Sequence, residues 1–261
     1  LKIYFLISLY TYIVILQMTI FKKIGQGLKS AWGGVVKLGH KAVSGAVRLG
    51  KKGVQAVVGG GLDYSAMDDE ENLHAKMSQM GYGDKRKSSY QGYDLDNSLS
   101  DKRTAVYHNK NTKKTIISYR GTDPKDLDDL SADYHIVKGT HGQHNQFKNA
   151  VKTYDRVSSK YGKEGISLSG HSLGGKKAEY VNERRGGVKT HTYNQGQSYG
   201  SQEVAKSLKC KLPTAPKWCK TITKHHTKGD PVSLLSKFTY GKTKSYKTKG
   251  LASHSIDNFV N

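Results

Sequence analysis

Acidic residues are missing from the first quarter of this chain. Residues 1–62 hold nine Lys or Arg and no Asp or Glu, whereas the remainder carries 34 basic against 21 acidic side chains, so the +22 formal charge divides into +9 and +13. Such an imbalance favours anionic partners, either nucleic acid or acidic lipid, and is silent about fold. Cysteine is nearly absent: Cys210 and Cys219 bracket a Pro-containing loop, and two thiols are too few to assign a redox compartment, so a bridge and two free thiols both stay open. The eleven histidines form no H-E-x-x-H arrangement and the cysteines no C-x-x-C, so neither a metal nor another cofactor is expected.

What is present begins with an apolar run. Residues 3–21 lie between Lys2 and Lys22–Lys23 and as a helix would cover about 30 Å of hydrocarbon. Three readings stay open for residues 1–21: a membrane span or anchor, a signal peptide lacking a strong basic start or an A-x-A-like site, or upstream translation ahead of Met18. Residues 22–61 then read as a basic amphipathic helical segment. Rows of eleven starting at Ile24, Val35 and Ala46 place Trp32, Val43 and Val54 in one apolar column, and Lys29, His40 and Lys51 in a polar one. Eleven residues make three turns at about 3.67 per turn, which keeps an apolar stripe on one side. A membrane surface is the expected partner of such a segment, ahead of nucleic acid or another polyanion. Gly59–Gly60–Gly61 closes it as a joint.

Residues 62–261 read as the catalytic domain. An acidic turn at Asp68–Asp69–Glu70–Glu71 opens a helix, and Thr104–His108 with Thr115–Tyr119 reads as a hairpin. Helices follow near Asp126–Tyr134, over residues 145–160, from Ser172 to about Arg185, and near Gln202–Leu208. Strands are expected at Val188–Tyr193 and Thr221–His226. The alternation implies an α/β fold with a mostly parallel sheet covered by helices on both faces.

The centre of this domain is Ile166–Ser167–Leu168–Ser169–Gly170–His171–Ser172–Leu173–Gly174–Gly175, a strand that stops at glycine, presents a serine and continues into a helix. G-x-S-x-G marks a nucleophile elbow. In α/β-hydrolase-type enzymes the acid and then the histidine follow the nucleophile along the chain, and that order nearly solves the assignment. After Ser172 the aspartates are Asp230 and Asp257, and no histidine follows Asp257; after Asp230 comes His254. Glu203 with His225 or His226 is the rival set, disfavoured because Glu203 falls on an expected surface helix. Ser172 would attack an ester carbonyl, His254 accept its proton and Asp230 orient the histidine. The Leu173 N–H and the Gly121–Thr122 loop would face the oxyanion.

Tyr119–Arg120–Gly121–Thr122, Gly170–His171–Ser172–Leu173–Gly174–Gly175, Gly229–Asp230–Pro231–Val232 and the terminal His254 together resemble the class 3 (fungal-type) lipases over roughly residues 65–261. The resemblance implies an α/β-hydrolase fold, with an oxyanion residue at Thr122, a nucleophile at Ser172, an acid at Asp230 and a base at His254. It implies a lipid ester as substrate, phospholipid or acylglycerol. Two departures bear on the acyl pocket. Tyr193–Asn194–Gln195–Gly196 stands where a Phe–x–x–Pro turn is usual, and Lys176–Lys177 where small residues are usual. The stretch between Asp230 and His254 is basic, with Phe238, Tyr240 and Tyr246 interleaved, and reads as a solvated loop or as a rim for anionic headgroups. The expected location is membrane-associated, on a secreted or a cytosolic face. A membrane-active or polyanion-binding protein with a silent hydrolase domain is the competing function.

Overall fold

The structure, a computed structural model, describes residues 67–198, 201–228, 230, 240–246 and 254–260. The apolar start and the eleven-residue repeat lie outside the described residues. Among the described residues, no helix is long and apolar enough to cross a membrane.

One eight-stranded sheet organises the domain, with its strands in chain order from edge to edge. β1 (Ser89–Tyr90), β2 (Tyr93–Leu95), β3 (Thr104–Asn109) and β4 (Lys114–Tyr119) pair antiparallel. From β4 onward, β5 (Ile166–His171), β6 (Lys189–Tyr193), β7 (Ile222–Thr227) and β8 (Lys242–Tyr246) run parallel. The expected hairpin is β3–β4, in register from Thr104 opposite Tyr119 to Asn109 opposite Lys114. β8 was expected to be loop. Its Lys–Thr–Lys–Ser–Tyr sequence offers little apolar signal because, at the sheet's edge, mainly Tyr246 turns inward.

Helices cover both faces. α1 (Asp69–Met80) starts with a capping box in which the Asp68 side chain accepts from the Glu71 N–H and the Glu71 side chain accepts from the Asp68 N–H. It brings Met77 and Met80 against Ala105, Tyr107 and Ile116. On the opposite face α3 (Asn145–Tyr161) and α4 (Leu173–Arg184) seal Val106, Ile117 and Leu168 with Ala150, Val157, Ala178 and Val181. β5 shows how alternation divides these layers. Leu168 joins the α3–α4 core, while Ser167 and Ser169 face α1, where they pair with His74 Nε2 (2.8 Å) and Ser78 Oγ (2.5 Å). α2 (Leu127–Val137) and α5 (Ser201–Cys210) complete the layers. This is the α/β-hydrolase architecture: parallel strands whose carboxyl ends gather at one edge, flanked by helices.

Candidate active site

Ser172 sits between β5 and α4 with φ 55° and ψ −124°, a conformation that L-residues seldom adopt. The tightness of the turn explains its glycines. A Cβ on Gly170 would overlap the Gly174 carbonyl, and one on Gly174 would overlap the Tyr119 carbonyl oxygen. The turn is held by the Ser172 N–H donating to Tyr193 O (3.0 Å) and the Gly196 N–H donating to Ser172 O (3.1 Å).

The three residues picked by chain order meet here. Ser172 Oγ lies 2.9 Å from His254 Nε2, and His254 Nδ1 lies 2.8 Å from Asp230 Oδ1. A carboxylate only accepts, so Nδ1 carries the proton and the Nε2 lone pair faces the serine hydroxyl. Asp230 is fully buried, whereas the His254 side chain is 34% exposed, so the set opens to solvent on the histidine side. Asp230 is placed at the end of β7, its N–H donating to Thr227 O (3.2 Å). Asn194 braces the same corner, its Oδ1 accepting from the Thr227 N–H at 2.9 Å and its own N–H donating to His225 O at 2.8 Å. The unusual Tyr193–Asn194–Gln195–Gly196 segment therefore ties the carboxyl ends of β6 and β7 together.

Thr122 follows β4, and its hydroxyl donates to Asp133 Oδ2 at 2.8 Å. Burial raises the Asp133 carboxyl to about 6, against the opposing pull of the Thr122 hydrogen bond. Asp129, one turn earlier on α2, is fully buried and gathers Arg103 (2.9 Å), Arg120 (2.6 Å), the Asp123 N–H (3.0 Å) and Gln146 (2.7 Å). That hub fixes both sides of the loop carrying Thr122. Leu173 is the first residue of α4, so its N–H has no intrahelical acceptor. Sequence reasoning did not single out Asp129 and Asp133, although their i, i+4 spacing on a helix next to Arg120–Gly121–Thr122 was a readable signal.

The rival set is built otherwise. Glu203 is buried, contrary to its expected surface placement, and takes Lys176 and Lys206, each at 3.3 Å. His225 Nδ1 lies 2.8 Å from the Tyr246 hydroxyl, and both His225 and His226 are buried. Lys176 and Lys177 are buried as well. Against the desolvation that burial imposes, Glu179, Glu203 and Glu183 hold the Lys176 ammonium above its ordinary value. Burial lowers Lys177 to about 8, with Asp129 opposing. Cys210 and Cys219, left open above, form a disulfide.

Among the described residues, Glu70, His74 and His191 are the group whose donor atoms lie within 4.8 Å of one another. Each is engaged already: His74 Nδ1 with Glu70 O (2.8 Å), His74 Nε2 with Ser167 Oγ (2.8 Å), His191 Nδ1 with His225 Nε2 (3.3 Å) and Glu70 with Lys189 (2.5 Å). The Lys189 ammonium also places positive charge where a cation would bind.

The Mbeg1-like family model matches residues 64–195. No curated protein sequence matches the chain. Among solved structures, Lip2 lipase from Yarrowia lipolytica is similar at 17% identity over 76% of this chain and 86% of that one, with a TM-score of 0.45. A triacylglycerol lipase from Penicillium expansum is similar at 13% identity over 71% and 80%, with a TM-score of 0.43. Rhizomucor miehei lipase is similar at 15% identity over 77% and 82%, with a TM-score of 0.44. With residues 64–195 matched, just over half of its length, the chain belongs to the Mbeg1-like family.

Proposed function

We propose that this chain is a serine carboxylic ester hydrolase that cleaves phospholipid or acylglycerol esters at a membrane surface. The observation that carries the reading is the hydrogen-bonded series Ser172–His254–Asp230 mounted on a strained elbow. Ser172 Oγ attacks the ester carbonyl as His254 Nε2 takes its proton, and Asp230 holds the tautomer and stabilises the imidazolium. The oxyanion collects the Leu173 N–H and, through a turn of its hydroxyl, Thr122. His254 then returns the proton to the leaving alcohol, and water repeats the sequence to free the acid.

The lipid substrate is supported by the basic repeat upstream and by the exposed Lys242 on β8. An anionic leaflet offers on the order of 1 kcal/mol per basic residue close to it. The repeat brings the site to the surface by charge and by its apolar columns, and nucleic acid is the weaker partner.

The test is hydrolysis of p-nitrophenyl butyrate and of anionic phospholipid vesicles. Three full-length proteins are compared: wild type, Ser172→Ala, and a variant carrying Lys29→Gln, Lys41→Gln, Lys51→Gln and Lys52→Gln. Ser172→Ala is expected to lose about 10⁴-fold or more on both substrates. The lysine variant is expected to keep the soluble ester and lose the vesicles. A wild type inactive on both substrates, or matched by Ser172→Ala, rejects the enzyme in favour of a silent scaffold. Unchanged vesicle turnover in the lysine variant rejects the docking role.

A further inference from the structure

His171, the residue before the nucleophile, is buried and takes no part in the reaction as written. Its two nitrogens are both engaged. Nε2 lies 2.6 Å from the main-chain carbonyl oxygen of His254, and Nδ1 lies 2.7 Å from the Tyr82 hydroxyl. A carbonyl can only accept, so Nε2 carries the hydrogen; Nδ1 is then a lone pair, and Tyr82 donates to it. The charge states agree with this assignment. Burial raises the Tyr82 phenol, keeping it protonated, and burial together with the neighbouring His254 lowers His171 to about 3, keeping it neutral. A neutral ring matters at this place, because the His171 and His254 ring centroids are 5.0 Å apart and a cation there would repel the imidazolium that forms on His254.

Tyr82 follows the C-terminal end of α1, and its hydroxyl also meets the loop that carries Thr122. A Cβ on Gly121 would overlap it. Glycine between Arg120 and Thr122 is thus the space the hydroxyl occupies. The hydrogen-bonded connection runs from the Tyr82 hydroxyl, packed against Gly121, through the His171 imidazole to the His254 carbonyl. Asp230 holds the side chain of His254; this second connection holds its main chain. Burying a phenol and an imidazole is costly unless their polar atoms are paired, and this pairing ends on the one residue whose distance from Ser172 decides proton transfer.

We propose that Tyr82 and His171 are positioning residues for the reaction. Together they form a hydrogen-bonded strut that fixes the main chain of His254 against Ser172 and packs against the Gly121–Thr122 loop. The proposal rests on the esterase reading above.

The test uses full-length Tyr82→Phe, His171→Leu and His171→Gln, with kcat and KM measured on p-nitrophenyl butyrate and folding checked by thermal unfolding. Loss of the strut is expected to lower kcat about 10²-fold in His171→Leu and about 10-fold in Tyr82→Phe, with KM within about 2-fold of wild type. His171→Gln keeps an N–H at the Nε2 position and is expected to recover about 10-fold or more over His171→Leu. A kcat within about 2-fold of wild type in Tyr82→Phe overturns the proposal, and so does a folded His171→Gln no better than His171→Leu. Should His171→Leu fail to fold, the Tyr82→Phe result decides. An inactive wild type rejects the esterase reading instead. The strut is then judged by ¹⁵N spectra of labelled histidine: a single Nε2–H tautomer at His171 that becomes mixed in Tyr82→Phe supports it, and an unchanged tautomer overturns it.

Discussion

Ser172 holds a backbone conformation that costs on the order of 1–3 kcal/mol, and the surrounding turn maintains it with backbone hydrogen bonds on both sides. The polar residues around it pay a different cost. Asp133 holds the Thr122 hydroxyl, yet burial raises its carboxyl to about 6 from an ordinary value of 3.8. The native state therefore binds that proton more tightly than the unfolded chain. The contribution to stability is present below about pH 4 and is lost as the pH rises through 6. Asp133→Asn removes the titration, so the stability of the variant relative to wild type should rise between pH 4.5 and pH 7, by on the order of 1–3 kcal/mol. Urea unfolding at the two pH values measures the difference, and a gap that does not change with pH contradicts the assignment. The convergence of Ser172, Asp230 and His254 was legible in the sequence because chain order leaves few candidates. The partners that position them were not: Tyr82, Asp129, Asp133 and His171 are ordinary residue types whose roles arise only when α1, α2 and the sheet edge are brought together.

At the scale of elements, local patterning revealed those with a wet face and a dry face. α3 places Phe147, Tyr154 and Val157 inward at helical spacing, and β3 and β4 follow strand periodicity. It missed β8, whose outward face is solvated, and it placed Glu203 of α5 at the surface, where the structure buries it. Lys176 meets Glu179 at 2.9 Å, Lys224 meets Glu179 at 3.1 Å, and the Tyr240 hydroxyl donates to Glu179 at 2.7 Å. Gln195 joins the same carboxylate. A buried network of this kind looks like a surface pattern in sequence, because most partners of Glu179, namely Lys224, Tyr240 and Gln195, are distant from it in the chain. The disulfide also belongs to this scale. Cys210 ends α5 and Cys219 closes a 3₁₀ turn ahead of β7, with nine residues of separation. A closed loop of that size is worth about 2–3 kcal/mol, so Cys210→Ser with Cys219→Ser should lower Tm by about 5–10 °C in calorimetry. An unchanged Tm means that the bridge contributes nothing to this fold.

For the whole molecule, charge and fold separate. The +22 charge is concentrated most sharply in residues 1–62, which hold no acidic side chain, and the hydrolase fold lies downstream of them. The α/β class and the helix-covered sheet were readable from the alternation of elements. The antiparallel β1–β2 edge was not, since two- and three-residue strands carry too little periodicity. The central claim is that Ser172 is a nucleophile activated by His254 and Asp230. The most direct measurement is mass spectrometry after reaction with an alkylphosphonate p-nitrophenyl ester. One adduct is predicted, on Ser172, with stoichiometric release of p-nitrophenol, absent in Ser172→Ala and slowed about 10³-fold or more in His254→Ala. No adduct on folded wild type, or equal labelling in His254→Ala, would contradict the account.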